Sequence, residues 1–328
     1  MLRNRFHLLI FSIVLCGFEI LSPAQPLPVI LDTDIGDDID DTWALALLLR
    51  CPELDVRLIV GDNGNAKYRA KLIAKLLEVS NRTDIPVGIG LAGKDEKGRQ
   101  AKWVEDYDLA SYPGTVHPDG VQAIIDTILG ASGPITLIAI GPVPNLEEAL
   151  QREPKIAEKA KFVGMHGSVR KGYEGSPEIS KEYNVAVDVP ACQAVFTAGW
   201  EMTITSLDTC GLVRLEGEKY AKVRDCKDPL AEALIENYRI WAADQGQPEM
   251  TKDKSSVLFD TVAVYLAFAE ELVLMEELPI RVDDKGFTRI DPEGKKMRVA
   301  TDWKDLGAFE NFLVKRLTKD SRKDFKRD

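Results

Sequence analysis

Apolar and polar positions along the chain follow two alternating rhythms. Short apolar runs rich in β-branched residues read as strands: Val29–Asp32, Val56–Val60, Ile135–Ile140, Lys161–Met165 and Met202–Thr205. Longer stretches with apolar residues at helical spacing lie between and after them: Thr42–Arg50, Lys67–Ser80, Val121–Leu129, Leu146–Gln151, Pro190–Ala198, Pro229–Ala243 and Thr261–Ala269. That order predicts an α/β fold, a mainly parallel sheet with helices on both faces. Near the C-terminus, Ile280–Asp283, Thr288–Asp291 and Met297–Thr301 surround Asp-Lys-Gly and Pro-Glu-Gly turn signals. They predict a small antiparallel appendage. No repeat and no Pro/Gly/Ser-rich linker divides the chain, so residues 26–317 read as one domain.

Both ends differ from this body. Arg3 and Arg5 precede the apolar run Leu8 to Phe18, and Ser22-Pro23-Ala24 puts small residues before Gln25. The run is too short to span a bilayer, so residues 1–25 read as a signal peptide and the protein as exported, periplasmic or secreted. Residues 318–328 form a charged tail poor in apolar positions. Removing residues 1–25 moves the net charge from −11 to −12. An acidic surface argues against nucleic acid and anionic membranes as partners. Cys51, Cys192, Cys210 and Cys226 remain, with no CxxC and no zinc-like grouping. Their spacing leaves pairing open, and a domain of this size folds as readily with buried thiols.

The densest chemistry sits where the first strand ends. Asp32, Asp34, Asp37, Asp38, Asp40 and Asp41 place six carboxylates within ten residues, directly before a helical stretch carrying Trp43, Leu45, Leu47 and Leu48 at amphipathic spacing. Carboxylates this close repel unless solvent, protonation or a cation relieves them. Hard oxygen ligands suit Ca²⁺ or Mg²⁺. Capping of a helix start could explain Asp40 or Asp41, but not Asp32 and Asp34, two residues apart on a strand. An EF-hand does not fit, because Gly36 falls at the fifth loop position and no glutamate closes the loop.

The run Asp32-Thr33-Asp34-x-Gly36-x-Asp38-x-Asp40-Asp41 resembles the N-terminal signature of the inosine-uridine-preferring nucleoside hydrolases, in a form with two extra residues before the final Asp-Asp. Further blocks occur in the family's order: Gly64-Asn65, Ile140-Gly141-Pro142-Val143-Pro144-Asn145-Leu146, Met165-His166-Gly167, Glu182-Tyr183-Asn184 with Asp188-Val189-Pro190-Ala191, and Leu258-Phe259-Asp260-Thr261-Val262-Ala263. The resemblance runs from about Pro28 to about Leu317.

It implies Ca²⁺-dependent hydrolysis of the N-glycosidic bond of ribonucleosides, with a small nucleoside as partner and a homo-oligomer as a candidate assembly. By resemblance Asp34, Asp41, Asp260 and the carbonyl of Pro144 hold the calcium, and Asp34 is the catalytic base. Asp40, Asn65, Glu182 and Asn184 fall at sugar-binding positions. Each also has a plainer reading: Asp260 as the N-cap of the next helix, Asn65 as turn chemistry, Glu182 and Asn184 as a solvated loop. Two departures stand out. Ser176 replaces a sugar-binding asparagine, and Phe259 stands where several branches place a proton-donating histidine. His166, Tyr238, Trp241 and Phe259 are then the candidates for a leaving-group pocket; for Tyr238 and Trp241, three apart on one helix, packing against the sheet is an equal reading. Phe259 also motivates two alternatives: hydrolysis of another N-riboside such as nicotinamide riboside, whose base leaves without a proton, or calcium-dependent nucleoside or ribose binding without turnover.

Overall fold

The computed structural model describes residues 25–93 and 97–319. Residues 1–24 of the segment expected to be a signal peptide, and nearly all of the charged tail, lie outside the described residues. Among these residues the strands are β1 (Leu27–Thr33), β2 (Leu54–Gly61), β3 (Val87–Ile89), β4 (Val116–His117), β5 (Ile135–Ala139), β6 (Ala160–Met165), β7 (Glu201–Thr205), β8 (Val273–Val282), β9 (Thr288–Ile290) and β10 (Lys295–Trp303). The helices are α1 (Asp40–Leu48), α2 (Ala66–Val79), α3 (Gly120–Gly130), α4 (Pro144–Arg152), α5 (Ile156–Lys159), α6 (Tyr183–Val187), α7 (Val189–Thr197), α8 (Gly217–Arg224), α9 (Pro229–Asp244), α10 (Thr261–Leu266) and α11 (Leu306–Leu317).

All described strands join one sheet in the order β4-β3-β2-β1-β5-β6-β7-β10-β8-β9. The pairs from β4 through β7 to β10 are parallel, and only β8 runs against its neighbours β10 and β9. The C-terminal strands are antiparallel to one another, as the turn signals predict, but they extend the main sheet through β10 beside β7. Strand alternation builds a core on each side. Val29 and Leu31 face one apolar layer with α1, α2, α9, α10 and α11, while Ile30 faces the other with α3, α4 and α7.

From β1 the chain winds outward through β2, β3 and β4, then returns to β5 on the other side of β1 and winds away. This reversal opens a crevice at the carboxyl ends of β1 and β5, the place where open α/β sheets bind ligands. α1 fills the start of that crevice. Its spacing predicts an amphipathic helix, yet all nine of its residues are buried, because α9, α10 and α11 close over it. Asp228 fixes α9 there: its carboxylate caps the helix through Leu230 N–H at 3.0 Å and pairs with Arg50 just beyond α1.

Candidate active site

Six strand or helix ends meet in a cavity of about 250 Å³. β1 delivers Asp34, α1 delivers Asp40 and Asp41, the ends of β5 and β6 deliver Ile140 and Met165, α6 brings Glu182 and Asn184, and Phe259 and Asp260 precede α10. The loop of residues 34–39 is held from behind. The buried Arg69 guanidinium donates to the carbonyls of Asp34, Ile35 and Asn63. Tyr68 hydroxyl donates to the Gly36 carbonyl at 3.0 Å, and Trp241 Nε1 donates to the Asp37 carbonyl at 3.0 Å. Gly141 lies against Asp34, since a Cβ there would stand 2.8 Å from Asp34 Oδ1. That close approach lets the carboxylate sit over the end of β5.

Asp40, Asp41 and Asp260 each offer a carboxylate oxygen within 4.8 Å of the others, and all three are buried. Asp260 occupies the N-cap position of α10 but makes no capping bond. Its carboxylate lies near that of Asp40 instead, whose charge disfavours its own. Asp41 also accepts from the Thr33 hydroxyl. Burial drives the acids upward first, and mutual repulsion adds to it. Asp34 rises to about 6, and Asp40, Asp41 and Asp260 lie well above the usual carboxylate range. Arg69 lowers Asp34 and Asp41 without offsetting the burial. An all-oxygen, strongly anionic set fits a hard divalent cation, and oxygens up to 4.8 Å apart are spanned by two metal–oxygen bonds of about 2.4 Å. Asp34 lines the same cavity beside this group, with Asp40 completing the three that converge most closely.

Glu182 accepts from the backbone N–H groups of Gly167 (2.9 Å), Asn184 (2.8 Å) and Val185 (3.3 Å), and burial nonetheless lifts it to about 7. Asn184 Nδ2 donates to the carbonyls of Ile140 and Met165 at 3.2 and 3.0 Å. Both its donors are used, so its oxygen is what it can present to a ligand.

Other expected residues sit elsewhere. Asn65 caps α2 by accepting from Tyr68 N–H at 3.0 Å and lines a neighbouring cleft, not this cavity. The acid that ends β2 is Asp62, fully buried with Asp32, which in turn accepts from Asn145 Nδ2 at 2.9 Å. Pro144 opens α4 and Ser176 lies in the loop before α6; neither lines the cavity. His166 is fully buried against Phe162 and Phe196, and burial pulls it down to about 3. Strand alternation explains this, because Met165 takes the cavity side and its neighbour must turn away. Tyr238 donates to the Lys254 carbonyl at 3.1 Å and stacks on Trp241, so the shared face of α9 is a packing face. Phe259 does line the cavity, with Tyr173 edge-on at 6.1 Å. Arg99, Tyr173 and Tyr183 complete the wall; Tyr183 stands inside the Glu182-Tyr183-Asn184 block, while no local spacing marks Arg99 and Tyr173.

The model of the inosine-uridine preferring nucleoside hydrolases matches residues 29–311. The non-specific ribonucleoside hydrolase RihC of Klebsiella pneumoniae is 28% identical over 287 residues, covering 82% of this chain and 90% of that protein. The pyrimidine-specific ribonucleoside hydrolase RihA of Salmonella typhi is 28% identical over 225 residues, 64% of this chain and 70% of that one. Among solved structures, a plant nucleoside hydrolase superposes with a TM-score of 0.76 at 23% identity, over 89% of this chain and 99% of that chain. A purine-preferring ribonucleoside hydrolase from Gardnerella vaginalis gives 0.71 at 22%, over 89% and 98%. The chain is therefore a hydrolase of the N-glycosidic bond by class, and it belongs to the inosine-uridine preferring nucleoside hydrolase family.

Proposed function

We propose that this protein hydrolyses ribonucleosides to ribose and free base with a calcium ion held at Asp40, Asp41 and Asp260. The carrying observation is that these three carboxylates share one cavity with Asp34, Glu182 and Asn184. When bound, the ion would neutralise the clustered charge and lower the pKa of a coordinated water. Asp34 is the base that takes the proton of the attacking water as it reaches C1′ of the sugar. The surrounding carboxylates stabilise positive charge developing on the ring, and Asp40, Glu182 and the oxygen of Asn184 accept from its hydroxyls. Relatives of this family act on different bases by name, so base preference is a property of each chain's own leaving-group wall.

A second reading is favoured by that wall. Phe259 lines it and neither described histidine does, which suits an N-riboside with a cationic base such as nicotinamide riboside. The test is release of base from inosine, uridine and nicotinamide riboside, with calcium and with a chelator. Calcium-dependent release from inosine or uridine supports the first reading, and release from nicotinamide riboside alone supports the second. Binding of all three without turnover would defeat both.

A further inference from the structure

At about 250 Å³ the cavity is smaller than the pockets that enclose whole small ligands, which run to roughly 300–1,000 Å³. It has room for a sugar, and the base must extend beyond it. A second cleft of about 840 Å³ adjoins it, with Asn65, Tyr68 and Asp244 in its walls. Three residues line both spaces: Asp37, Arg99 and Tyr183. They form one bonded group. Arg99 Nε lies 3.1 Å from Asp37 Oδ1, and the Tyr183 hydroxyl donates to Asp37 Oδ2 at 2.9 Å. The backbone beneath is fixed, with Arg99 N–H on the Gly36 carbonyl at 3.0 Å and Trp241 on the Asp37 carbonyl. The Arg99 and Asp37 side chains are 41% and 35% exposed. A pair that wet is screened and weak, so its members can change partners without moving the backbone.

Charge then decides which way a base departs. The described lining of the cavity carries seven carboxylates and a single cation, Arg99. A base leaving with the glycosidic electron pair is anionic, repelled by the carboxylates and attracted by a guanidinium. Phe259 offers it neither charge nor proton, and His166 is shut away in the apolar core.

Resting on the hydrolase reading above, we propose that Arg99 is the leaving-group residue, with the sugar in the carboxylate cavity and the base lying across Asp37, Arg99 and Tyr183 into the neighbouring cleft. As the C1′–N bond breaks, its electron pair passes to the base nitrogen beside the guanidinium. The water oxygen bonds to C1′ and its proton goes to Asp34. The base anion takes a proton from solvent in the open cleft. This places leaving-group stabilisation between the loop at Arg99 and α6, with the end of α9 at Asp244 as the far wall of the cleft.

The test compares Arg99→Ala and Arg99→Lys with wild type on inosine and on 4-nitrophenyl riboside, whose phenolate leaves unaided. Arg99→Ala should lower kcat on inosine about 10²-fold, the usual weight of one electrostatic stabiliser, and change the activated substrate by less than about threefold. Arg99→Lys keeps the charge and should recover part of the loss on inosine. Circular dichroism and calcium content matching wild type show that the fold and the cation site are intact. Equal losses on both substrates, or no loss on inosine, overturn the assignment. Wild-type activity on the nitrophenyl riboside alone overturns it too, while leaving the hydrolase reading standing. A wild type inactive on both fails that reading itself.

Discussion

Raising the pH should destabilise the metal-free protein, and calcium should offset part of that loss. Asp34 is fully buried and ionises at about 6 instead of 3.8, chiefly because burial disfavours its charged form. Asp40, Asp41 and Asp260 are raised further. A raised acid binds its proton more tightly in the folded chain than in the unfolded one. Between the two values the folded state carries more protons, so stability falls as pH rises through that window. For Asp34 a shift of about two units corresponds to about 3 kcal/mol, fully expressed above about pH 6. At about 2 °C per kcal/mol for a domain of this size, Asp34 alone should lower Tm by about 6 °C. Calcium at a hundred times its Kd returns about 2.7 kcal/mol. The assay is thermal unfolding in chelator from about pH 5 to about pH 8, a range that takes in about half of the Asp34 loss and so about 3 °C, repeated with calcium. A metal-free Tm that stays level or climbs over that range refutes the account of the carboxylates. A fall that calcium leaves untouched refutes the cation site.

Other outcomes follow from single residues. Asp34→Asn should fold and bind calcium yet lose at least about 10²-fold in turnover, and a near wild-type rate in a calcium-replete sample would remove Asp34 as the base. Asn145→Ala strips partners from buried Asp32 and from the Gly61 carbonyl and Leu91 N–H. It should cost about 2–5 kcal/mol in denaturant unfolding, and a loss under about 1 kcal/mol would show that water replaces the amide. Export is proposed from the N-terminal pattern alone, so N-terminal sequencing of secreted or periplasmic material should begin near Gln25, and an intact Met1 in the soluble cytoplasm would contradict it.

The sequence made the β1–α1 turn legible because six acids in ten residues have no ordinary structural use. Asp260 could be tied to it only through the resemblance, since its local setting is that of a helix cap. β3 and β4, three and two residues long, are too short to show alternation. The seating of β10 beside β7 depends on a long-range register that turn signals do not encode. The Asn63-Gly64-Asn65 stretch carries turn and cap chemistry, which the structure uses to cap α2 with Asn65, and β2 ends at Gly61, which puts Asp62 at the strand end. Arg99 was invisible because its place depends on a loop returning to Gly36 through one backbone hydrogen bond.

Glu182 serves two masters. Its carboxylate faces the cavity, and the same two oxygens gather the N–H groups of Gly167, Asn184 and Val185, stitching the segment after β6 to the first turn of α6. Any ligand that draws on those oxygens therefore pulls on the local fold as well. Occupancy should be felt as a change in amide hydrogen exchange over residues 167 and 184–185. Replacing the acid would loosen that corner of the molecule along with the sugar contact proposed for it. Recognition and local order here are one property, and selection acting on either must act on both.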